Sequence, residues 1–549
     1  MPNRLTSRTL AIALALAIVP AAGCTKPSGG ASSSATQPAG GGTEGDNAMA
    51  SPTDPDRVAK LGTAFPAIDS IMRAFAARTN VPGIAYGVIV DGKLAHVGTS
   101  GFRELSSKSP VDTGTVFRIA SMTKSFTAVA ILQLRDAGKL SLEDPAERYV
   151  PELAGLHYPT TDSPKITIRH LLSHSTGFPE DNPWGDRQLA DTDEQMAEMI
   201  RSGIPFSTAP GTNYEYSNYA FAILGRIVTK VSGMPYPKYI SEHVLQPLGM
   251  SSTTLQSAEV DPARLAHGYR WQDGQWLEEE QLPDGSFGPM GGMLTSIADL
   301  SRWVGFMLDA WPPRDGGAGD PLSRASRREM QQVIRYQGAS AVRDAKTGAI
   351  TLSAGGYGYG LGVRESCLFH IVVSHTGGLP GFGSIMLWLP DYGVGIVGLG
   401  NVTYTSWRAP VDQALDALAR TGALEPRAPT PAPILTERRD QVTRLVSSWD
   451  DALADSVAAM NLYLDETKDR RRAAIEKVRD AAGGSCQAEG PFVAANALRG
   501  RWRMRCAKGD LVVSITLAPT IPAGVQHLDV RPIAREESIA PAPTCRSTT

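Results

Sequence analysis

Residues 117–137 read FRIASMTKSFTAVAILQLRDA, and this segment is more informative about the fold than any other in the chain. From Ser121 onward it is apolar almost all round, and it stops just before Gly138. A helix without a polar face is a buried helix, and glycine is a common residue at a helix C-terminus. We therefore expect Ser121 to open a helix that runs through the centre of a domain.

Ser121 and Lys124 are three residues apart in this segment, so a helix places them on one face. A serine hydroxyl is a poor nucleophile unless a base activates it. A partly buried lysine can supply that base, because burial lowers its pKa. The alternative is an N-cap serine with a nearby surface lysine.

A second polar element, Tyr216-Ser217-Asn218, lies between a loop-like stretch at 210–212 and an apolar stretch at 220–231. A tyrosine hydroxyl can transfer protons if a neighbouring lysine lowers its pKa. An asparagine amide can hold a substrate carbonyl. The alternative is a helix-capping turn with a packed tyrosine.

Two stretches could supply a third element, Lys-Thr-Gly at 346–348 and His-Thr-Gly at 375–377. The first lies in a polar stretch that is typical of a turn. The second ends an apolar strand at 371–374 and is followed by Gly378. Small residues at a strand edge allow a substrate to approach the backbone, whose N–H groups can form an oxyanion hole. We therefore choose the second stretch.

Together these elements resemble the serine β-lactamase-related family, which includes class C β-lactamases, DD-carboxypeptidases, D-aminopeptidases and certain esterases. Ser-x-x-Lys and a third Lys-Thr-Gly element are known from β-lactamases and penicillin-binding proteins. The resemblance covers about residues 65–410, and further family-like stretches occur at 117–120, 166–175, 291–293 and 357–362.

The resemblance implies a role for each matching residue. Ser121 would form the acyl-enzyme, and Lys124 and Tyr216 would share the general-base and general-acid duties. The backbone N–H groups of Ser121 and Gly378 would form the oxyanion hole. The residues implied in substrate binding are Asn218, His375, Thr376, Gly377 and Gly378.

His375 departs from the family pattern, because true β-lactamases carry a lysine there that helps to hold the substrate carboxylate. A histidine is shorter and mostly neutral above about pH 6.5. The family's esterases and D-aminopeptidase-like members often carry histidine at this position. The departure argues against an efficient β-lactamase.

The pattern of strands and helices predicts an α+β fold, and the resemblance implies that this fold is of the β-lactamase/transpeptidase type. Residues 83–90 and 93–99 read as a hairpin, and 368–374, 383–389 and 394–400 read as three more strands. Helical patterns lie between these two groups. We expect one antiparallel sheet made from both ends of the domain, flanked by helices and completed by a helical lobe.

The N-terminus resembles a bacterial lipoprotein leader. Arg4 and Arg8 precede an apolar run at 10–19, and Gly23-Cys24 follows. Residues 1–23 would be the signal peptide and Cys24 the lipidated residue; the alternative is ordinary cleavage near Ala22. Residues 24–54 are rich in Gly, Ser and Pro, which predicts a flexible tether.

A second change of composition marks the C-terminal side of the hydrolase-like region. Four closely spaced prolines predict a stiff linker at 424–434 between a domain at 55–423 and a small α+β domain at 435–549. Cys486 and Cys506 flank one short stretch there, and we expect them to form a disulfide in an oxidising compartment. This domain has no chemistry that the sequence reveals, and its protein partner is unknown.

These features predict an exported, envelope-facing serine hydrolase that is anchored to a membrane by its lipid and needs no cofactor or metal. Its substrate would be an ester, a peptide amide or a D-amino-acid peptide. The net charge of −3 argues against nucleic acid. His170 and His174 have a spacing that could bind a metal, but the resemblance makes that segment structural. The alternatives are a β-lactamase and a non-catalytic envelope scaffold.

Overall fold

The computed structural model describes residues 54–539, apart from residue 318, residues 344–347 and residue 349. The predicted signal peptide, the lipidation site Cys24 and nearly all of the tether lie outside the described residues. Lys346 and Thr347 of the rejected Lys-Thr-Gly stretch also lie outside them.

The strands are β1 (Gly83–Val90), β2 (Lys93–Glu104), β3 (Ser109–Pro110), β4 (Val116–Arg118), β5 (Gly268–Gln272), β6 (Gln275–Glu279), β7 (Leu294–Ser296), β8 (Arg335–Arg343), β9 (Ile350–Tyr357), β10 (Gly362–Ser366), β11 (Val372–Leu379), β12 (Phe382–Leu389), β13 (Val394–Gly400), β14 (Gln487–Asn496), β15 (Arg499–Arg505), β16 (Asp510–Leu517) and β17 (Val525–Ile533).

The helices are α1 (Arg57–Gly62), α2 (Phe65–Arg78), α3 (Thr123–Asp136), α4 (Ile168–Leu172), α5 (Asp193–Arg201), α6 (Asn218–Ser232), α7 (Tyr236–Ile240), α8 (Gly288–Gly291), α9 (Ile297–Leu308), α10 (Arg324–Met330), α11 (Arg408–Arg420), α12 (Pro433–Ser447), α13 (Asp451–Val457), α14 (Leu462–Asp465) and α15 (Lys468–Ala481).

The central sheet joins strands from both ends of the hydrolase-like region. Within the described residues it has nine strands in the order β3-β2-β1-β13-β12-β11-β10-β9-β8. β1 pairs antiparallel with β13, so the N-terminal hairpin lies beside the last strand of this region. The prediction of one antiparallel sheet built from both ends is confirmed.

Both faces of this sheet are buried at β1, which explains why β1 is apolar throughout its length. Ala85 and Ile89 join the core that contains α3, α6 and α9. Ile84 and Val88 point to the opposite face and join the core under α2 and α11. Because side chains alternate along a strand, a continuous apolar run can feed both cores at once.

The nucleophile segment differs in detail from the prediction. Ser121 lies in a short 3₁₀ turn, Ala120–Met122, and α3 begins two residues later at Thr123. The helix is buried along nearly its whole length, as the apolar pattern requires. Ser121 therefore precedes the helix that it was expected to open.

Two strand predictions were incomplete. The sequence pattern did not predict the hairpin β8–β9, whose strands are mostly exposed and carry a mixture of polar and apolar residues. β11 runs from Val372 to Leu379, so His375 lies in the middle of the strand and not at its end. The strand continues through small residues, Thr376 to Gly378, because β12 pairs with it there.

The C-terminal region forms a separate small sheet domain with its own hydrophobic core. Its sheet has the order β14-β15-β16-β17. Cys486 and Cys506 are joined by a disulfide, as expected from the sequence. Helices α12 to α15 precede this sheet in the chain.

The linker before this domain is partly held against the hydrolase-like region. The Arg427 guanidinium donates to the Trp311 carbonyl at 2.8 Å and to Asp91 Oδ1 at 3.0 Å. α12 already begins at Pro433, inside the predicted linker. Arg427 therefore anchors the proline-rich segment to the hydrolase-like region.

Within the described part of the chain, every helix is too short or too polar to cross a membrane.

Candidate active site

Ser121 is placed by a strained turn that lies against β11 and β12, two inner strands of the central sheet. Ala120, directly before it, has a φ of 49°, a left-handed conformation that is uncommon for residues other than glycine. The next carbonyl upstream, Ile119 O, accepts a hydrogen bond from the Ser384 hydroxyl of β12 at 2.9 Å. The turn is thus fixed to the sheet directly upstream of the nucleophile candidate.

Lys124 lies one turn further on, and its amine reaches back to the serine. Its Nζ is 3.0 Å from Ser121 Oγ, 2.6 Å from Asn218 Oδ1 and 2.8 Å from Met290 O. The side chain is completely buried. The spacing of three residues therefore brings the two groups together as the sequence predicted.

Burial lowers the pKa of Lys124 to about 7, although the acidic groups of Asp186 and Asp181 act in the opposite direction. A large fraction of this lysine is thus neutral near pH 7. A neutral amine has two N–H donors and one lone pair. The carbonyl oxygens of Asn218 and Met290 can only accept, so they take both donors. The lone pair is left for the Ser121 hydroxyl.

Tyr216 also contacts the serine, but its protonation differs from the expectation. Its hydroxyl interacts with that of Ser121, and Lys124 Nζ lies 4.8 Å from the centre of its ring. Burial raises the pKa of Tyr216 well above its usual value. The condition set out from the sequence, a pKa lowered by a neighbouring lysine, is not met, because desolvation disfavours the phenolate. Tyr216 is a neutral phenol that can donate a proton.

Asn218 does not line the site, contrary to the expected contact with substrate. Its side chain is completely buried. Its Oδ1 accepts from Lys124, and its Nδ2 donates to Asn182 Oδ1 at 2.5 Å. Both ends of the amide are therefore occupied by protein groups. Asn218 holds the Lys124 amine in position.

His375 is held as a neutral imidazole. Its Nδ1 lies 2.6 Å from the Thr376 carbonyl, which can only accept, so Nδ1 carries the proton. Its Nε2 then accepts from the Tyr357 hydroxyl at 2.8 Å. Burial, reinforced by the Lys124 amine, lowers the pKa of His375 to about 3. His375 therefore supplies no positive charge for a substrate carboxylate.

Gly377 allows β11 to lie directly against the nucleophile turn. A Cβ at this position would be 2.0 Å from the Ile119 carbonyl oxygen and 2.4 Å from Ser384 Oγ. These distances are far below van der Waals contact, so only glycine fits here. Gly377 itself does not line the pocket, whereas its neighbours Thr376 and Gly378 do. Its effect on the site is therefore to set the position of β11.

The predicted residues meet at a pocket of about 430 Å³, which is lined in part by Ser121, Tyr216, His375, Thr376 and Gly378. Ser121 and Gly378, the two residues expected to supply oxyanion donors, are thus on the same pocket wall. A volume of this size suits a small-molecule ligand or one or two residues of a peptide.

Sequence reasoning missed Asn182 and two further polar residues of this pocket, Asp186 and Tyr404. The Tyr404 hydroxyl donates to Asp186 Oδ2 at 2.9 Å, which links two loops across the pocket. Tyr404 has a φ of 53° and lies over Gly378. Neither residue belongs to a recognisable pattern, and only the strained conformation and the shared pocket reveal them.

His174, one of the two histidines whose spacing could bind a metal, packs against a residue of the site. Its Nδ1 accepts from the Ser217 backbone N–H at 3.0 Å, so the proton lies on Nε2. The ring packs against Tyr216, with 4.3 Å between the ring centres. Across residues 54–539, excluding the gaps, no cluster of three metal-ligating side chains occurs.

Comparisons with known proteins find relatives of similar sequence and fold. Protein flp of Staphylococcus aureus (strain MW2) is 27% identical over 376 residues, which is 68% of this chain and 70% of that protein. Penicillin-binding protein 4* of Bacillus subtilis (strain 168) is 26% identical over 327 residues, 56% of this chain and 66% of that protein.

A solved structure, the octameric penicillin-binding protein homologue from Pyrococcus abyssi, matches with a TM-score of 0.54 and 20% identity. The match covers 85% of this chain and 98% of that one, and it supports the fold. The family model described as Beta-lactamase matches residues 68–421, which include Ser121, Lys124, Tyr216 and His375. The chain belongs to this family of serine β-lactamase and penicillin-binding-protein-like proteins.

Proposed function

We propose that the protein is a serine hydrolase that acts on an ester or a peptide amide, including D-amino-acid peptides, through an acyl-enzyme at Ser121. The observation that carries the proposal is the contact between a buried, easily deprotonated Lys124 amine and the Ser121 hydroxyl. Serine nucleophiles need an adjacent base. Here the carbonyl oxygens of Asn218 and Met290 orient the Lys124 amine. Membership of the Beta-lactamase family supports the same reaction class.

The reaction begins when the Ser121 Oγ–H proton passes to Lys124 Nζ as Oγ bonds to the substrate carbonyl carbon. The backbone N–H groups of Ser121 and Gly378 hold the oxyanion. As the bond to the leaving group breaks, the Tyr216 hydroxyl donates its proton to the leaving oxygen or nitrogen. Lys124 returns its proton to Tyr216. Water then attacks the acyl carbon and gives one proton to Lys124 Nζ. As the bond between Ser121 Oγ and the acyl carbon breaks, Lys124 passes this proton to Oγ, which releases the acid and restores Ser121 and the neutral lysine.

This mechanism assigns the base to Lys124 and the acid to Tyr216, an assignment that the sequence left open. The pKa values support the division of roles, because that of Lys124 is lowered and that of Tyr216 is raised. General acid–base catalysis works best when the base has a pKa near the working pH.

The pH dependence of kcat/KM tests the assignment. Protonated Lys124 cannot accept the serine proton, so we expect kcat/KM for p-nitrophenyl butyrate to rise about tenfold per pH unit below about 7 and to level off above. Titration of His375 does not change kcat/KM in this pH range, because the pKa of His375 is about 3. The profile is measured from about pH 5 to about pH 9 with spontaneous hydrolysis subtracted. A flat profile would contradict Lys124 as the base.

Of the two alternatives, the β-lactamase is disfavoured by the neutral His375, and the non-catalytic scaffold by the intact contacts among Ser121, Lys124 and Tyr216. Turnover of a chromogenic cephalosporin beside p-nitrophenyl butyrate separates them. We expect the ester to be hydrolysed with the higher kcat/KM. A faster cephalosporin would favour the β-lactamase, and no turnover of esters or peptides would favour the scaffold.

We also propose that the protein faces the cell envelope from a lipid anchor at Cys24. The support is the leader-like sequence at 1–23 and the polar tether that follows it. We expect the wild-type protein in the membrane fraction and the Cys24→Ala variant in the soluble fraction. Identical fractionation of the two proteins, measured by immunoblot, would argue against lipidation.

A further inference from the structure

We propose that Asp186 is a specificity-determining residue that binds a positively charged amine of the substrate beside Ser121. The inference rests on the proposed function, since it concerns the same pocket. It adds a substrate class, amine-bearing esters or amides, that neither the family model nor the relatives' names specify.

The Asp186 side chain is buried, with only 2% of its surface exposed, and it lines the pocket that contains Ser121. One carboxyl oxygen, Oδ2, accepts from Tyr404. The other, Oδ1, is buried and has no hydrogen-bond partner among the described residues. A buried carboxylate oxygen without a donor is costly, so a ligand that brings a donor is favoured there.

Among the described residues, no cationic side chain forms an ion pair with the Asp186 carboxyl. Lys124 lies close enough to Asp186 for their charges to interact, but its amine is bound to Ser121, Asn218 and Met290. Arg187, the next residue along the chain, is exposed and lies outside the pocket lining. The carboxyl of Asp186 thus faces the pocket without an ion-pair partner in the described structure.

The charge of the pocket points the same way. Among the described residues that line it, none is Arg or Lys, and His375 is neutral. Asp186 is the single carboxylate in that lining. Complementary charge favours a cationic ligand and disfavours a carboxylate, because a like charge in a confined site is strongly repelled. The same feature separates this pocket from one built to hold a carboxylate-bearing substrate.

The test compares two inhibitors of equal shape. Alaninamide and isobutyramide differ by an ammonium group in place of a methyl group. Each is measured as a competitor of p-nitrophenyl butyrate hydrolysis at about pH 7, where α-amino groups are largely protonated. Both enantiomers of alaninamide are used. We expect one enantiomer to bind at least about tenfold tighter than isobutyramide, since a hydrogen bond to a charged group gives a preference of that size.

The variant Asp186→Asn keeps the shape and the acceptor for Tyr404 but removes the charge, and we expect it to lose the preference for alaninamide. Asp193→Asn is the matched control, because its side chain is 69% exposed on α5, and it should keep the preference. Tyr404→Phe keeps the charge of Asp186, so this variant should also keep the preference for alaninamide. Equal binding of the two amides by the wild type, or a preference that survives Asp186→Asn, would overturn the proposal.

Two further readouts separate this proposal from others. If Asp186 acted only on the protonation of Lys124, Asp186→Asn would shift the pH profile and leave the preference unchanged, which would overturn amine binding. Calorimetric binding of both amides to the Ser121→Ala variant needs no turnover. It therefore decides the question even if the protein fails to hydrolyse the ester.

Discussion

Replacing Ser121 by alanine is expected to reduce the hydrolysis of p-nitrophenyl butyrate by a factor on the order of 10⁴ or more. The variant lacks the nucleophile, while Lys124 keeps its bonds to Asn218 and Met290. The hydroxyl is small and sits on a pocket wall, so its removal leaves the fold intact. The measurement is kcat/KM for the two purified proteins, prepared in parallel.

Thermal unfolding is the control for this comparison, and the two midpoints should agree within a few degrees, as expected for a substitution that creates no large cavity. Equal activity in the two proteins would exclude Ser121 as the nucleophile for this ester. Absence of activity in both would direct the search to peptide substrates, which require contacts that a butyrate ester does not make.

Replacing Gly377 by alanine is expected to lower kcat/KM about 100-fold, because a displacement of about 1 Å at an active site can cost that much. The added Cβ would lie 2.0 Å from the Ile119 carbonyl, so β11 and the turn that carries Ser121 must separate. Overpacking of this kind also lowers the free energy of unfolding by about 1–3 kcal/mol.

The control for Gly377→Ala is Gly155→Ala, where an added Cβ has no atom within 4 Å and the backbone has no positive φ. We expect this variant to keep the activity and the unfolding midpoint of the wild type. Normal activity of Gly377→Ala would show that the contact between β11 and the nucleophile turn does not control catalysis.

Much of the site could be predicted from local sequence because its chemistry depends on short spacings. Ser121 and Lys124 are neighbours on one helical turn, so their meeting follows from the period of the helix. The choice of His375 over Lys346 depended on a strand pattern, and His375 does line the pocket. The family resemblance then placed Tyr216 and Gly378 beside them.

Other features depended on contacts between residues far apart in the chain. The role of Asn218 changed from substrate contact to holding Lys124, because its amide is enclosed by Lys124 and Asn182. Asp186 and Tyr404 are 218 positions apart and belong to no recognisable motif. Their meeting across the pocket follows only from the packing of two loops.

The sequence by itself determined the family, the buried nucleophile helix and the sheet built from both ends, and it led us to expect the disulfide between Cys486 and Cys506 that the structure contains. These follow from local periodicity, from short motifs and from the spacing of residue types. The tertiary structure alone decided the protonation of Lys124, Tyr216 and His375, since a pKa depends on desolvation and on neighbours that folding brings together. It also decided the charge of the pocket, because only packing determines which acidic side chain is buried beside Ser121.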